Sequence, residues 1–358
     1  MSSRSPQNER ASHRKNWNKL QLLNRGTAIL RTMGEPQGDR MAEETLQTDL
    51  TEQHKRDAHW IFIGKDGIRT GWSALLFIII FIALEFIAAL PIFTFIHFKV
   101  QRGAPQPAYV ALTQEMVQTI LVLLATFIMS RIEKRPALVY GYAGQARFVR
   151  FLGGIVCGFA AISLLVGALW KSHLLAFDGS PLGGLLAWKY AAEWAVAFIF
   201  VGIFEESLLR GYLLYTVARG IGFWWAAVIL SATFGGIHGS NPGESPVGLF
   251  AAAAIGLVFC LSLWYTGSLW WAIGFHAAWD WGETYFYGTS DSGMVAAGHL
   301  LSEHPTGPLL WTGGATGPEG SLLVVPLILV MALLMWLWWG RRVESPFRKQ
   351  VVATPTES

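Results

Sequence analysis

The sequence has few charged residues. Lys and Arg number 27 and Asp and Glu number 24, which is 14% of 358 residues, whereas a soluble chain has about 25%. Apolar residues make up 53%, with 17 Trp, and several apolar runs approach the ~20 residues needed to cross a bilayer. The scarcity of charge excludes an ordinary soluble domain and predicts an all-α, polytopic membrane protein.

Other features are missing as well. The two cysteines, Cys157 and Cys260, both fall in apolar runs, so they predict small buried side chains and no disulfide framework. The net charge of +3 gives no sign of nucleic-acid binding. The first 57 residues lack an apolar stretch of the kind that a signal peptide needs, and no HExxH stretch marks a zinc protease.

Eight apolar runs predict eight transmembrane helices in a bundle with an intramembrane cavity. Around the bundle, residues 1–57 predict a disordered cytoplasmic tail, 58–71 an interfacial lead-in and 341–358 a cytoplasmic C-terminal tail. The transmembrane domain is 72–340, and its motif core is 186–287. The runs are about 72–97, 110–130, 149–170, 186–217, 223–238, 246–265, 269–287 and 321–339.

The basic residues predict the orientation of this bundle. Cytoplasmic loops carry an excess of Lys and Arg, and an eight-span chain puts both termini on one side. One side of the membrane then receives the larger set of basic residues, and this predicts that both termini are cytoplasmic. We interpret the membrane as a bacterial plasma membrane. That set is Arg56, Lys65, Arg69, Arg131, Lys134, Arg135, Arg147, Arg150, Arg219, Arg341, Arg342, Arg348 and Lys349, against Lys99, Arg102, Lys171 and Lys189 on the other side.

The fourth run carries charges that lipid does not accept. Glu205, Glu206 and Arg210 together cost roughly 9 kcal/mol at a helix centre, against roughly 6 kcal/mol returned by a dozen strongly apolar residues. Glu206 and Arg210 are four apart, which predicts an ion pair. Glu205 is rotated by about 100° from Glu206, so it is predicted to face a cavity while Glu206 is held.

Two histidines lie in neighbouring runs. His238 follows Phe234 by four residues and stands just before a Gly-Ser-Asn-Pro break, and His276 and Asp280 are four apart in the seventh run. Asp280 then either orients the His276 imidazole or approaches the same ligand. Intramembrane ionisable residues are functional candidates first.

Hydrolysis of an amide fits this set of side chains. A glutamate and a histidine can activate water, and a second histidine can donate to the tetrahedral oxyanion. The alternative is metal-assisted hydrolysis, with zinc held by Glu205, His238 and His276. The sequence leaves both open. We favour the metal-free route and predict no firm cofactor.

The three motifs, in this order, resemble the CPBP family of intramembrane proteases. That family has EExxxR, then FxxxH, then HxxxN or HxxxD on successive helices, and it includes type II CAAX prenyl endopeptidases and bacterial Abi and bacteriocin-processing proteins. Here the motifs are Glu205-Glu206…Arg210, Phe234…His238 and His276…Asp280.

The resemblance implies an eight-helix bundle with a cavity open toward the cytosol. It assigns water activation to Glu205 and His238, the support of the geometry to Glu206 and Arg210, and the oxyanion site to His276 and Asp280. The usual residue at the last position is Asn, so Asp280 is either protonated or a partner of His276.

The resulting hypothesis is an intramembrane endopeptidase similar to CAAX prenyl protease 2, either glutamate-dependent or metal-dependent. Its expected partners are the lipid bilayer and a peptide or membrane-protein substrate, prenylated or not, and no nucleic acid. A non-proteolytic membrane scaffold or bacteriocin-immunity-type protein of the same fold is the alternative. An ion-coupled transporter ranks last, because the chain shows no internal repeat.

Overall fold

The computed structural model of the chain describes residues 61–64, 67–95, 105–144 and 146–347. The chain divides into two compact units, Met1–Asp66 and Gly67–Ser358. In the first unit, the described part contains the two-residue strand β1, Ile63–Gly64. The predicted tail 1–57 lies outside the described residues, and the tail 341–358 is described only as far as residue 347.

The second unit is built almost entirely from helices. Apart from the one-turn 3₁₀ helices Ala137–Val139 and Pro318–Gly320, its elements in chain order are β2 (Gly67–Ile68), α1 (Thr70–Phe95), α2 (Ala108–Ile132), α3 (Arg147–Lys171), β3 (Leu175–Gly179), α4 (Gly184–Glu206), a π-helical segment (Ser207–Leu213), α5 (Leu214–Ile221), α6 (Phe223–His238), α7 (Pro246–Thr266), α8 (Trp270–Asp280), a π-helical segment (Trp281–Tyr287), β4 (Ser302–Pro305), α9 (Leu309–Thr312), α10 (Val324–Met335) and a π-helical segment (Trp336–Gly340).

Four helices are long and apolar enough to cross a membrane. They are α1 over Thr70–Leu90, α2, α3 and α7. The helix α6 and the stretch Val324–Gly340 are also apolar but shorter. The helical, membrane-spanning class is therefore as predicted, whereas the count of eight spans is not confirmed by the described helices.

The fourth predicted run is not one continuous α-helix. After α4 ends at Glu206, the chain is π-helical up to Leu213, and Gly211 within it has a non-helical ψ of −119°. The seventh run changes in the same way after Asp280. Wide π turns occur often at functional sites, because they redirect side chains without ending the helix. The two π-helical segments Ser207–Leu213 and Trp281–Tyr287 each begin directly after a predicted site residue.

Glycines let α3 and α8 approach closely. A Cβ atom on Gly154 would lie 2.2 Å from the Trp271 carbonyl oxygen, and one on Gly158 would lie 2.2 Å from the Phe275 carbonyl oxygen. Neither position has room for any side chain. Small residues that bring backbones together are the usual basis of helix association in membranes. This contact fixes α8, which carries His276 and Asp280.

The helix ends form two opposite faces. We call the first the loop face. It contains the strands β3 and β4, which pair antiparallel, the junction of α6 and α7, and Gln106, whose backbone N–H donates to the Val295 carbonyl at 2.8 Å. The loop 288–320 covers this face, and the Trp194 ring N–H reaches its Ala297 carbonyl at 3.1 Å.

The second face holds most of the basic residues and is called the basic face. It contains the end of α2, the start of α3, the α5–α6 and α7–α8 junctions and the end of α10. Hydrogen bonds join these ends: the Leu269 N–H donates to the Gly141 carbonyl at 3.0 Å, and the Tyr215 hydroxyl to the Gly267 carbonyl at 3.1 Å. Arg219 also pairs with Glu133 across this face at 3.2 Å.

Candidate active site

A cavity of about 490 Å³ lies between α2, α4, α6, α7, α8 and α10. Small-molecule and substrate sites have volumes of about 300–1,000 Å³. Its lining includes Glu205, His238, His276 and Asp280, from three different helices. The lining reaches the loop face at Ser240 and Asn241, and none of it belongs to the basic face within the described chain.

The predicted ion pair between Glu206 and Arg210 is present. Arg210 Nη1 lies 3.0 Å from Glu206 Oε1, and both side chains have no exposed surface. A buried charge without a partner costs several kcal/mol, so each of these groups requires the other. The pair spans the start of the π-helical turn and fixes the direction in which this turn leaves α4.

Arg210 also packs against two aromatic rings, and a glycine leaves room for its guanidinium. Its guanidinium carbon lies 4.3 Å from the centre of the Phe234 ring and 5.7 Å from that of Phe259. A Cβ atom on Gly256 of α7 would lie 2.4 Å from Arg210 Nη2. Phe234, the aromatic residue of the FxxxH motif, thus supports Arg210 of the EExxxR motif by a cation–π contact.

His276 is surrounded by carboxylates. Its Nδ1 lies 3.2 Å from Glu206 Oε1, while Nε2 lies 3.5 Å from Glu205 Oε2 and 3.7 Å from Asp280 Oδ2. Because an ionised carboxylate only accepts, Nδ1 donates to Glu206. The group that fixes the imidazole is therefore Glu206, which lies 70 residues away in sequence, rather than Asp280 alone.

Glu205 differs from its neighbour in the way predicted. Its side chain is 25% exposed and lines the cavity, whereas that of Glu206 is fully buried. Asp280 is 8% exposed and stands beside Nε2 of His276, where it fits a partner of the imidazole. One carboxylate is thus held by Arg210 and the other faces the space where a substrate would lie.

His238 shares the cavity but not these contacts. Its Nδ1 lies 2.8 Å from the Phe234 carbonyl oxygen, so it donates there, which leaves Nε2 as an acceptor. Its ring packs on Phe234 at 4.6 Å between centroids, and Phe234 packs edge-on against His276 at 6.1 Å. Among the described residues no ion pair joins His238 to Glu205, and both side chains line the cavity.

The alternative zinc ligands do not fit a common ion. Glu205, His238 and His276 do not bring three ligand atoms within 4.8 Å of one another among the described residues, and the group that does so lies elsewhere. Both ring nitrogens of His276 also face carboxylates rather than a shared centre. We therefore derive no step through a metal at these three residues.

Sequence reasoning missed part of the lining. The helix α2 contributes Gln114, Glu115 and Gln118, and the loop face contributes Asp291 and Glu319. The polar positions in α2 are spaced at 114, 115 and 118, which is one helical face, and that spacing was a usable signal. Asp291 and Glu319 gave none, because they lie in a long irregular loop.

Comparison with known proteins adds a family to this geometry. The family model described as "Type II CAAX prenyl endopeptidase Rce1-like" matches residues 187–282. The chain is similar to that family over this segment. All six predicted site residues lie inside it, namely Glu205, Glu206, Arg210, His238, His276 and Asp280. No curated protein matches the chain.

The Rce1-like match confirms the resemblance that the motifs indicated. At the level of family it gives CAAX-protease-type function in an integral membrane protein. It gives no support to the Abi or bacteriocin-processing branch or to a metalloprotease. The match ends at residue 282, so the loop 288–320 on the loop face lies outside it.

Proposed function

We propose that the protein is an intramembrane endopeptidase that hydrolyses a peptide bond with water activated by Glu205. The observation that carries the proposal is the division of the glutamate pair. Glu206 is buried between Arg210 and His276, at 3.0 and 3.2 Å, whereas Glu205 faces a cavity large enough for a peptide segment. Such a pair gives one rigid support and one available base.

In the proposed reaction Glu205 accepts a proton from water, and the water oxygen forms a bond to the carbonyl carbon of the peptide. The developing oxyanion accepts a hydrogen bond from Nε2–H of His276. Since Nδ1 already donates to Glu206, the imidazole is doubly protonated in this step, and Glu206 and Asp280 balance its charge. Collapse of the tetrahedral intermediate breaks the C–N bond. The proton held by Glu205 then passes to the leaving amine by way of His238, so that the enzyme is restored.

The chemistry of the cavity lining supports a class of substrate. Amide side chains at Gln114 and Gln118 offer both donors and acceptors, while Trp194 and Phe198 supply apolar surface. An extended peptide presents the same combination of backbone polar groups and apolar side chains. We propose a peptide or the tail of a membrane protein as substrate, and comparison of prenylated and unprenylated forms of one peptide decides whether a lipid is needed.

The test compares two glutamates of α4. Glu205→Gln removes the base without changing the size of the side chain, and we expect a loss of at least about 100-fold in kcat/KM. Glu193→Gln is the matched control, because the ion pair described for Glu193 is with Lys189, at 3.7 Å and on a more exposed surface. Proteoliposomes with a peptide library and mass spectrometry give the readout, and thermal unfolding shows whether each variant folds.

Unchanged cleavage by folded Glu205→Gln would remove the enzymatic role given to this residue. If neither the parent protein nor any variant cleaves, while a membrane partner is retained, the non-proteolytic scaffold becomes the better hypothesis. A loss confined to Glu205→Gln, with Glu193→Gln unaffected, supports the proposal.

We further propose that both termini are cytoplasmic and that the cavity opens on the opposite side of the membrane. Two expectations conflict here, because the family resemblance implies a cavity open toward the cytosol. The cavity reaches the loop face, whereas Arg131, Arg147 and Arg341 lie at the basic face. Since basic residues mark the cytoplasmic side, we give them precedence.

Cysteine labelling tests this orientation in intact cells. In a background with Cys157→Ser and Cys260→Ala, Ser180→Cys places a thiol on the loop face and Leu138→Cys places one on the basic face; both positions are exposed. We expect a membrane-impermeant maleimide to label the first and not the second. The reverse pattern would overturn the proposed orientation and restore the cytosolic opening.

A further inference from the structure

Three carboxylates meet beside the cavity, outside the Rce1-like segment. Glu283 comes from the π-helical segment after α8, Asp291 from the loop that follows, and Glu319 from the 3₁₀ helix Pro318–Gly320. We call them the acidic trio. One oxygen of each lies within 4.8 Å of the others. Two oxygens that bind one Ca²⁺ ion at about 2.4 Å each are at most about 4.8 Å apart, so this spacing suits a shared ion.

Neutral donors satisfy part of the acidic trio. The Trp279 ring N–H donates to Glu283 Oε2 at 2.8 Å, and the Thr284 hydroxyl donates to Asp291 Oδ2 at 3.0 Å. Ser292 donates to Glu319 Oε1 through its backbone N–H, at 2.6 Å, and through its hydroxyl. No Lys or Arg forms an ion pair with the three acids in the described part of the chain. These hydrogen bonds orient the carboxylates without neutralising them.

The second carboxylate oxygen of Glu283, Oε1, is evidence for a ligand. Glu283 has no exposed surface, and its Oε1 has no hydrogen-bond partner among the residues that the structure describes. A buried polar atom left unsatisfied costs about 1–3 kcal/mol, and more for a charged group. Gly317 keeps the space next to this oxygen clear, because a Cβ atom there would lie 3.3 Å from Oε1 and 2.0 Å from the Ser290 carbonyl oxygen.

The three side chains also repel one another. Three separate segments bring Glu283, Asp291 and Glu319 together, and like charges this close destabilise the loop unless a cation or shared protons join them.

We propose that the acidic trio binds one divalent cation and that Ca²⁺ is the ion that it suits. All three side chains supply oxygen, the ligand of hard cations, and neither cysteine nor histidine belongs to the group. The bound ion would tie the loop 288–320 to the end of α8 and so fix the wall of the cavity at the loop face. The acidic trio shares the cavity wall with the groups proposed to activate water but contains none of them, and its test does not depend on the proposed cleavage.

The experiment uses full-length protein in nanodiscs, treated with chelator and then titrated with CaCl₂, with MgCl₂ and ZnCl₂ in parallel. We expect Ca²⁺ to raise the Tm to a plateau and isothermal titration to give about one ion per chain. Asp291→Asn and Glu319→Gln each lose a charged ligand, and we expect at least a 10-fold weaker apparent affinity, on the order seen when ligand charge is reduced. Glu303→Gln, an acid of β4 outside the acidic trio, should bind as the parent does.

Two results would overturn the site. One is a parent protein whose Tm does not respond to Ca²⁺. The other is a response that Asp291→Asn and Glu319→Gln retain in full. If the two variants raise the Tm in chelator and no ion binds, the three groups share protons instead. Glu205→Gln should keep the whole Ca²⁺ response, so a failure of the protease hypothesis and a failure of this one are told apart.

Discussion

Two clusters of buried acids flank one cavity, and they are neutralised differently. The first, which we call the catalytic cluster in line with the proposed function, consists of Glu206, Arg210 and His276. Glu206 contacts Arg210 at 3.0 Å and His276 at 3.2 Å, so the chain supplies its own positive groups. In the acidic trio, the described hydrogen bonds to Glu283, Asp291 and Glu319 all come from neutral donors. The first cluster carries its own counter-charge, whereas on our proposal the second takes a cation from solution.

This difference corresponds to the depth of each cluster. Arg210 and Glu206 come from the middle of the chain's most charged apolar run, where an external ion would have to cross protein or lipid to reach them. The acidic trio lies at the loop face, next to Ser292 and Met294 of the cavity lining, where ions can arrive from water. A buried group far from solvent must therefore carry its counter-charge in the sequence.

Removal of the internal cation should have the largest effect on stability. Arg210→Met leaves the Glu206 carboxylate buried without its main partner, and we expect a loss of about 3–5 kcal/mol in the free energy of unfolding, as for other broken buried pairs. Asp291→Asn in chelator is the contrasting change, because it removes one of three like charges, and it should cost nothing or stabilise. Unfolding in SDS, followed by tryptophan fluorescence, measures both.

The double variant Arg210→Met, Glu206→Gln sharpens this contrast. With no charge left unpaired, we expect it to recover part of the stability that Arg210→Met loses while remaining inactive. If Arg210→Met is no less stable than Asp291→Asn in chelator, the two clusters are not neutralised in the different ways described.

A smaller effect should follow from filling the space beside the arginine. Gly256→Ala puts a Cβ atom 2.4 Å from Arg210 Nη2 and 3.1 Å from Ser231 Oγ, so the guanidinium must move. We expect a destabilisation of about 1–3 kcal/mol, as for other overpacked cores. Cleavage should fall on the order of 10- to 100-fold, because Arg210 positions Glu206 and through it His276.

Gly167→Ala is the control for this substitution. Gly167 lies in α3 with no atom within 4 Å of an added Cβ, so the change tests helix propensity alone and should leave cleavage unchanged. Equal activities for Gly256→Ala and Gly167→Ala would show that Arg210 tolerates displacement. A normal Tm with lowered kcat for Gly256→Ala would show positioning without loss of stability.

Sequence predicted the catalytic cluster better than the acidic trio for a physical reason. Glu206 and Arg210 are charges within an apolar run, and their cost in lipid makes them conspicuous. Their i, i+4 spacing also predicts the pair that the structure shows. Glu283, Asp291 and Glu319 lie at the end of a helix and in a polar loop, where acids are ordinary, and only the path of the loop brings them together.

Prediction of the helices from the sequence was limited in the same way. The predicted runs match the described helices to within a few residues for α2, α3, α6 and α7, because hydropathy records length directly. The π-helical turns after Glu206 and Asp280 left no trace in hydropathy, since all residues there remain compatible with a helix. The contact of His276 with Glu206 depends on packing between helices, which no local pattern encodes.

The smallest effect concerns an ion pair that water already screens. On the loop face, His304 Nδ1 lies 2.8 Å from Asp178 Oδ1, and both side chains are about half exposed, at 56% and 48%. The hydrogen bond to Asp178 raises the pKa of His304 above its ordinary value. A raised histidine pKa means that the folded state holds the proton more tightly, so the pair stabilises the β3–β4 contact at low pH and loses that contribution as pH rises through the folded pKa.

Asp178→Asn should therefore lower the pKa of His304, which NMR titration of the imidazole measures directly, and should barely change the Tm. Water screens such exposed pairs, so they contribute little to stability. Asp178→Glu, which keeps a carboxylate beside His304, is the control and should leave the raised pKa of His304 largely in place. A fall in Tm as large as that of Arg210→Met would mean that solvent exposure does not decide how much each charge pair contributes, which is the basis of the contrast between the clusters.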